Sequence, residues 1–362
     1  MKTAAISGAI ACLALAGSAA AQAGRDAAPD YVATMQALDR DGRPADPAVT
    51  VVHHDGMFLT ETRLRDGQAS IGFGPDRNAP VLRWSRQPDG EVTLMELLMP
   101  ARKPDAAEKT RPLDASSIVA GQTCRWRETA DALRPREQSC VTGDGIVAET
   151  KLLSDKDVVL YHSRLASLER RAVRLEDMRP PPEILTADFW LRPASIHAAD
   201  PARPDYEITL EGAGQSSLRL LRHYPWSYRE QRDTDGAVTV RIWNEREDRG
   251  ILYRQGREDR HLRASRRPPS SSDLDATTGR VPLGKGDTVL GETCEWFDPA
   301  PAGHDGASRQ CLTKDGLPLK EDAAGRTGDR SYTATALRRR PVDPQEMRLP
   351  PEAFSPAAWG LP

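Results

Sequence analysis

The sequence has few cysteines, few aromatic residues, little lysine and no long apolar run after its first two dozen residues. Among 362 residues there are 5 cysteines, 5% aromatic residues and 8 lysines against 42 arginines. The longest later apolar stretch, Val92–Met99, has eight residues and includes Glu96, which is too short and too polar for a membrane-spanning helix. The formal charge of −3 excludes a protein that binds polyanions through its overall charge.

Local motifs of catalysis and metal binding are missing as well. The sequence contains no Gly-x-Ser-x-Gly or Ser-x-x-Lys motif, and its seven histidines lack the spacing that places two imidazoles on one metal. The segment Gly279–Gly286 matches a phosphate-binding loop, except that glycine stands where a hydroxyl would hold magnesium. Because Pro282 also removes a backbone donor, a turn-rich connection is the better interpretation. We expect a protein that is not an enzyme and has no cofactor or metal.

The N-terminus has the pattern of a secretory signal peptide. Lys2 precedes a short apolar stretch, Ala4–Ala16, and small residues follow, which predicts a leader over residues 1–23 with cleavage after Ala21 or Ala23. We therefore expect a periplasmic protein, with secretion as the alternative. Nucleic acid is not an expected partner, because an exported protein meets little of it.

The rest of the chain is a tandem duplication. Three segments of the first half return in order in the second half: Gly121–Trp126 as Gly291–Trp296, Cys140–Gly145 as Cys311–Gly316, and Met178–Glu183 as Met347–Glu352. The sequence predicts a first β-rich repeat at 24–190, a linker at 191–204 and a second β-rich repeat at 205–362.

The duplication also predicts how the cysteines pair. Removal of the leader leaves four cysteines, for which three pairings exist. Two copies of one unit should carry the same internal bond, so we predict disulfides Cys124–Cys140 and Cys294–Cys311. Such bonds fit an oxidising compartment.

Turn residues predict most of the secondary structure. Asp-Gly dipeptides separate β-rich runs and are a strong hairpin signal. They predict hairpins of Val49–His54 with Met57–Leu64, of Val81–Arg86 with Glu91–Leu98, and of Arg229–Arg232 with Val238–Trp243. Asp30 is expected to cap a short helix that ends at Leu38. The predicted class is mainly β, with two tandem homologous antiparallel curved sheets or incomplete β-barrels and few short helices.

The second half of each repeat resembles a known group of exported proteins. A cysteine-linked hairpin with the pattern Cys-x-x-x-Asp-Gly is followed by a long strand and a Pro-Pro-Glu segment at Pro181–Glu183 and Pro350–Glu352. This arrangement resembles bacterial proteins related to the LolA/LolB-like half-barrels. The resemblance implies a curved antiparallel sheet whose concave face holds acyl chains or a hydrophobic segment of a partner.

One cluster of residues suggests a binding surface. Between Arg219 and Arg267 there are 13 arginines and no lysine against 8 acidic residues, a local charge of +5. Arginine makes planar contacts with carboxylate and phosphate and stacks on aromatic rings. The candidate ligand-binding residues are Arg222, Trp226, Tyr228, Arg241 and Trp243, and the partner they indicate is a lipid or another anionic envelope component.

Three functions follow from these observations. The first is a non-enzymatic periplasmic binding or envelope-maintenance protein that holds an amphipathic, lipid-like ligand on a concave sheet with arginine at its rim. The second is a structural or adaptor protein that binds another envelope protein through sheet edges or the arginine-aromatic cluster. The third is an exported hydrolase whose active site is assembled from residues that are distant in sequence.

Overall fold

The computed structural model is mainly β, as predicted, with very few helical residues. It describes residues 28–77, 79–99, 109–130, 135–191, 204–244, 246–247, 249–266, 281–298, 308–323 and 330–362. The predicted signal peptide at 1–23 lies outside these residues, as does most of the predicted linker at 191–204. All strand pairings in the described residues are antiparallel.

The described residues form two compact units, which are treated separately. The first is formed by the described residues between Met1 and Val81 and between Lys103 and Arg179. Its strands are β1 (Tyr31–Leu38), β2 (Pro44–His54), β3 (Met57–Arg63), β4 (Ala69–Gly74), β7 (Lys109–Val119), β8 (Gln122–Ala130), β9 (Arg136–Thr142), β10 (Val147–Leu153) and β11 (Val159–Arg170). They pair in the order β7-β8-β9-β10-β11-β1-β2-β3-β4.

The second unit consists of Leu82–Arg102 with Pro180–Pro362. Its strands are β5 (Leu82–Arg86), β6 (Val92–Met99), β12 (Tyr206–Gly212), β13 (Ser217–His223), β14 (Trp226–Arg232), β15 (Val238–Asn244), β16 (Arg249–Gln255), β17 (Arg260–Arg266), β18 (Val281–Val289), β19 (Glu292–Asp298), β20 (Ser308–Leu312), β21 (Pro318–Ala323) and β22 (Arg330–Arg338). The order is β5-β6-β17-β16-β15-β14-β13-β12-β22-β21-β20-β19-β18.

The two predicted repeats have the same pattern of strand pairing. The first strand of each repeat pairs with the second and the last, as β1 does with β2 and β11, and β12 with β13 and β22. Equivalent bulges interrupt β1 after Thr34 and β12 after Thr209. The predicted repeat boundaries stay a prediction, and the compact units cross them because β6 of the first repeat pairs with β17 of the second.

Local turn chemistry produces the predicted hairpins. The pairs β2–β3, β5–β6 and β14–β15 meet across the expected Asp-Gly turns, and Asp55 and Gly56 both have the positive φ that such a tight turn requires. Both predicted disulfides are present, Cys124–Cys140 between β8 and β9 and Cys294–Cys311 between β19 and β20. Each has a Cα–Cα distance of 5.3 Å and lies in the core of its unit.

Two local predictions were wrong. Tyr31–Leu38 is the strand β1 and not a helix, because alternate residues Tyr31, Ala33 and Met35 are buried and strands bond both edges. Asp30, the expected helix cap, instead accepts hydrogen bonds from the Val173 amide and from His54. The predicted turn-rich connection at Gly279–Gly286 is a strand from Val281 onward, with a bulge between Pro282 and Gly286.

The helices are short, and most of them come after the last strand of a repeat. The one α-helix among the described residues is α1 (Ala187–Leu191), and single-turn 3-10 helices span Leu175–Asp177, Pro182–Leu185, Ala213–Gln215, Pro344–Glu346, Pro351–Phe354 and Pro356–Trp359. Within the described residues, no helix has the length and apolar character needed to cross a membrane.

Candidate functional site

Five neighbouring strands of the second unit have one buried face and one open face. They are β5, β6, β17, β16 and β15, which pair in that order. Successive side chains of a strand point to opposite faces, and the strand pairing aligns the two faces across all five strands. One face can thus differ in chemistry from the other.

The buried face is apolar and covered by the protein itself. Each of its central side chains is at most 5% exposed: Leu82, Trp84, Met95, Leu97, Ile242, Ile251, Tyr253, Leu262 and Ala264. The helix α1 packs on β16 and β17, and the helix Pro356–Trp359 packs on β6. Trp190 and Trp359 are buried there, and their indole N–H groups donate to the carbonyls of Ile184 and Ala353. The apolar side chains of this face are therefore not accessible to a ligand in this structure.

The open face is basic, and we call it the basic face. None of its side chains is buried. Its members are Arg83, Ser85, Leu94, Glu96, Leu98, His261, Arg263, Ser265, Gly250, Leu252, Arg254, Thr239, Arg241 and Trp243. Four arginines thus stand on it with one carboxylate, that of Glu96. Such a concentration of guanidinium groups attracts anions.

Three of the four arginines of the basic face and its one carboxylate lie in one line across the strands, and Arg254 lies beside this line, opposite His261. Arg83 is opposite Glu96, Glu96 is opposite Arg263, and the line continues through Leu252 to Arg241. Arginine thus recurs on every second strand, about 10 Å apart given the usual spacing of neighbouring strands. Glu96 contacts Arg263 at 3.7 Å between Oε1 and Nε, and both side chains are partly exposed, so this pair is weak in water.

An uncharged line runs beside the arginines and ends at Trp243. Its members are Ser85, Leu94, Ser265, Gly250 and Trp243. Gly250 is required by close packing, since a Cβ there would lie 2.7 Å from the Ile242 carbonyl oxygen. The Arg241 guanidinium lies 5.1 Å from the centre of the Trp243 ring, within the range of a cation–π contact.

The five candidate ligand-binding residues do not share one surface. Arg241 and Trp243 lie on the basic face, and Arg222 lies on the same side of the sheet but is buried, where its guanidinium donates to the Pro204 carbonyl and stacks on Tyr206. Trp226 and Tyr228 alternate to the opposite side. Burial raises the pKa of Tyr228, whose hydroxyl donates to Glu230. Their role in ligand binding stays a prediction.

Several other arginines of the cluster have acidic partners within the protein. Arg219 donates to Glu207, Arg229 to Glu321, Arg232 to Glu230, and Arg249 pairs with Glu247. This internal pairing reduces the charge that the cluster shows to solvent. The sequence revealed the excess of arginine. The positive charge that faces outward, however, also includes Arg83, which is 136 residues before Arg219 and outside the predicted cluster.

The last residues of the second repeat hold a further ion-pair network away from the basic face. Arg340 donates to both oxygens of Glu346, at 2.8 and 2.6 Å, and to Glu207 Oε2 at 2.9 Å. The hydrogen bonds from Arg340 lower the pKa of Glu346 to about 2. The network joins β12 to the segment after β22, so it stabilises the fold.

An aspartate–histidine pair occurs in the same place in both repeats. His54 Nδ1 lies 3.0 Å from Asp30 Oδ2, and His223 Nδ1 lies 2.8 Å from Asp205 Oδ2. Each aspartate also accepts the backbone N–H of the segment after the last strand, that of Val173 or Val342. The backbone N–H of Val173 and the His54 imidazole lower the pKa of Asp30. These contacts tie the start of each repeat to its end, which is a structural role.

Sequence reasoning missed an exposed apolar run in the first unit. Val158, Val159, Leu160 and Tyr161 are 55%, 45%, 60% and 41% exposed at the start of β11. The matching stretch of the second repeat ends in Asp329-Arg330. Consecutive exposed apolar residues are unusual unless they serve a function. The run could have been found by comparing the two repeats.

No arrangement of three or more metal-binding side chains occurs in the part of the chain that the structure describes. The buried polar atoms without a hydrogen-bond partner include Asp205 Oδ1, Asn244 Nδ2 and Tyr332 Oη. Asp205 precedes β12, Asn244 ends β15 and Tyr332 lies on β22.

No protein-family model and no curated protein matches the chain. A structure of an uncharacterized conserved protein from Thermus thermophilus is 12% identical, with a TM-score of 0.30, over 43% of this chain and 88% of that one. The Pseudomonas aeruginosa MucA/MucB complex is 13% identical, with a TM-score of 0.27, over 70% and 98%. A putative outer membrane lipoprotein-sorting protein domain from Vibrio parahaemolyticus is 11% identical, with a TM-score of 0.20, over 44% and 93%.

The sequence resembles LolA/LolB-like half-barrels, and a lipoprotein-sorting domain is one of these three structures. At these TM-scores the similarities assign neither a family nor a function to this chain, which is similar to the three proteins only in the type of its fold.

Proposed function

We propose that this chain is an exported, non-catalytic binding protein that holds an anionic envelope component on the basic face. The observation that carries the proposal is the line of Arg83, Arg263 and Arg241 on an open sheet face. The two disulfides fit export, because such bonds persist in oxidising compartments.

The same sheet argues against the acyl-chain site that the LolA/LolB-like resemblance implies. An acyl chain needs accessible apolar surface, and the apolar side chains of the buried face are already covered, those of β6, β16 and β17 in part by the protein's own short helices. An anion instead needs exposed donors, which the basic face provides. The basic face therefore supports contact with the polar part of a ligand.

Charge reversal on the basic face tests the proposal. We expect the double variant Arg241→Glu with Arg263→Glu to bind at least one anionic probe at least tenfold more weakly than the wild type. The probes are polyglutamate, polygalacturonate and phosphatidylglycerol vesicles, and binding is measured by titration at low salt, where exposed charges are least screened.

The control is Arg63→Glu with Arg65→Glu, which makes the same change of charge at exposed positions of the first unit. Equal losses in both double variants would mean that only overall charge matters. Absence of binding to every anionic probe would overturn the proposal.

A second candidate function, docking of an envelope protein, is favoured by the exposed run Val158–Tyr161. We expect a photo-crosslinking residue placed at position 160 to give one discrete adduct in envelope extracts, and the companion variant Tyr161→Asp to abolish it. A crosslinker at Lys156, in the preceding turn, serves as the positional control. A diffuse pattern at position 160 would count against this function.

A further inference from the structure

We infer that the anionic partner of the basic face is a linear acidic polysaccharide that lies across the strands. The inference deepens the proposed function and rests on it, because it names the class of anion that the same face holds. Its arguments are the shape of the charge distribution and the chemistry of the neighbouring line of residues.

Three of the four arginines of the basic face are arranged in one line, with Glu96 between two of them, and the fourth, Arg254, lies beside the line. Arg83, Arg263 and Arg241 occupy β5, β17 and β15, so the line spans four strand spacings, about 19 Å in all. The line to one side of it, from Ser85 to Trp243, carries no charge. A layer of lipid head groups presents anions in two dimensions, whereas a linear polyanion presents them along one direction. Charge complementarity therefore favours a linear polymer.

The uncharged line favours a sugar backbone over a peptide. Apart from Leu94 and Trp243, the line consists of the small residues Ser85, Ser265 and Gly250, over which sugar rings can approach the sheet. The serine hydroxyls both donate and accept hydrogen bonds. Trp243 stands at the end of this line and is half-buried. An indole ring offers a large flat apolar surface with low conformational freedom, which matches the apolar face of a sugar ring.

The arginines supply the other half of the recognition. A guanidinium group binds a carboxylate with two parallel hydrogen bonds, which adds direction to the attraction. Three such groups spaced by about 10 Å would contact separate carboxylates of one chain. Because each additional contact forms within an existing complex, affinity should rise steeply with polymer length until the line is filled.

The experiment compares polygalacturonate, which has one carboxylate on each sugar, with polyglutamate, phosphatidylglycerol vesicles and neutral dextran. We expect polygalacturonate to bind at least tenfold more tightly than polyglutamate at equal carboxylate concentration, and dextran not to bind. Polygalacturonate fragments too short to reach from Arg83 to Arg241 should bind at least tenfold more weakly than long ones.

The variant Trp243→Ala separates sugar recognition from simple charge attraction. We expect it to weaken polygalacturonate binding at least fivefold and to leave polyglutamate binding within twofold of the wild type. Trp243→Tyr keeps a ring and should restore most of the polygalacturonate affinity, which also distinguishes loss of contact from loss of folding.

Each outcome bears on one of the two proposals. Equal binding of polyglutamate and polygalacturonate, with no effect of Trp243→Ala, overturns the polysaccharide inference and leaves the anion-binding function standing. Preference for vesicles over both polymers also overturns the polysaccharide inference, and it identifies a lipid surface as the anionic partner. If no anionic probe binds, both the anion-binding function and the polysaccharide inference are overturned.

Discussion

Truncation of Trp359 to alanine is expected to lower the free energy of unfolding by about 3–5 kcal/mol, the usual cost of removing a fully buried large aromatic side chain. Trp359 is 1% exposed, and its indole N–H donates to the Ala353 carbonyl at 2.9 Å. Its helix covers β6. The alanine variant loses packing, leaves that carbonyl without its donor and uncovers apolar strand surface.

Urea unfolding followed by circular dichroism measures this loss, and binding of an apolar fluorescent dye reports the uncovered surface. Trp359→Phe is the matched control, because it keeps an aromatic ring and loses the N–H donor, and it should cost less than half as much. A loss below about 1 kcal/mol without dye binding would show that the Pro356–Trp359 helix does not seal the sheet, since a buried Trp-to-Ala change normally costs several times more.

Replacement of Glu321 by alanine is expected to cost about 3 kcal/mol, because removal of one partner of a buried ion pair leaves the other without compensation. Glu321 is 1% exposed and accepts two hydrogen bonds from Arg229, at 3.0 and 2.6 Å, and one from Gln310 at 3.1 Å. The variant therefore leaves a partly buried guanidinium and a side-chain amide without their acceptor.

The surface pair Arg174–Asp177 provides the comparison for Glu321. It has similar hydrogen-bond lengths, at 3.0 and 2.8 Å, but both side chains are exposed. Asp177→Ala should change the free energy of unfolding by less than about 1 kcal/mol. If denaturant unfolding gave the same small loss for both variants, burial of Glu321 would not be the source of its effect.

Local sequence was enough to predict the hairpins and the disulfides. Asp-Gly turns depend on residues that are adjacent in the chain, so the pairs β2–β3, β5–β6 and β14–β15 could be found without the structure. The cysteine pairing needed only the observation that Cys124 and Cys140 recur as Cys294 and Cys311. The turn signal lies in adjacent residues and the pairing signal in a local motif that is repeated along the chain, so neither depends on tertiary contacts.

The strand β1 shows where local signals were insufficient. Asp30 followed by small and apolar residues is typical of a helix start, but Tyr31–Leu38 has strand neighbours on both sides, one of which is β11, more than a hundred residues away. Pairing on both edges outweighs a weak local preference for a helix. The prediction failed because its deciding contacts are non-local.

The candidate site also has features that the sequence predicts and features that only the tertiary structure decides. The excess of arginine between Arg219 and Arg267 and the alternation in Thr239–Trp243 are properties of the sequence by itself, and they determine that Arg241 and Trp243 share a face. Whether that face is open, and which charges stand beside it, was decided only by the tertiary structure. Arg83 and Glu96 join Arg263 because β6 pairs with β17, a contact between strands of different repeats. No local pattern encodes that pairing, since it depends on which sheet edges meet when the whole chain buries its apolar surface.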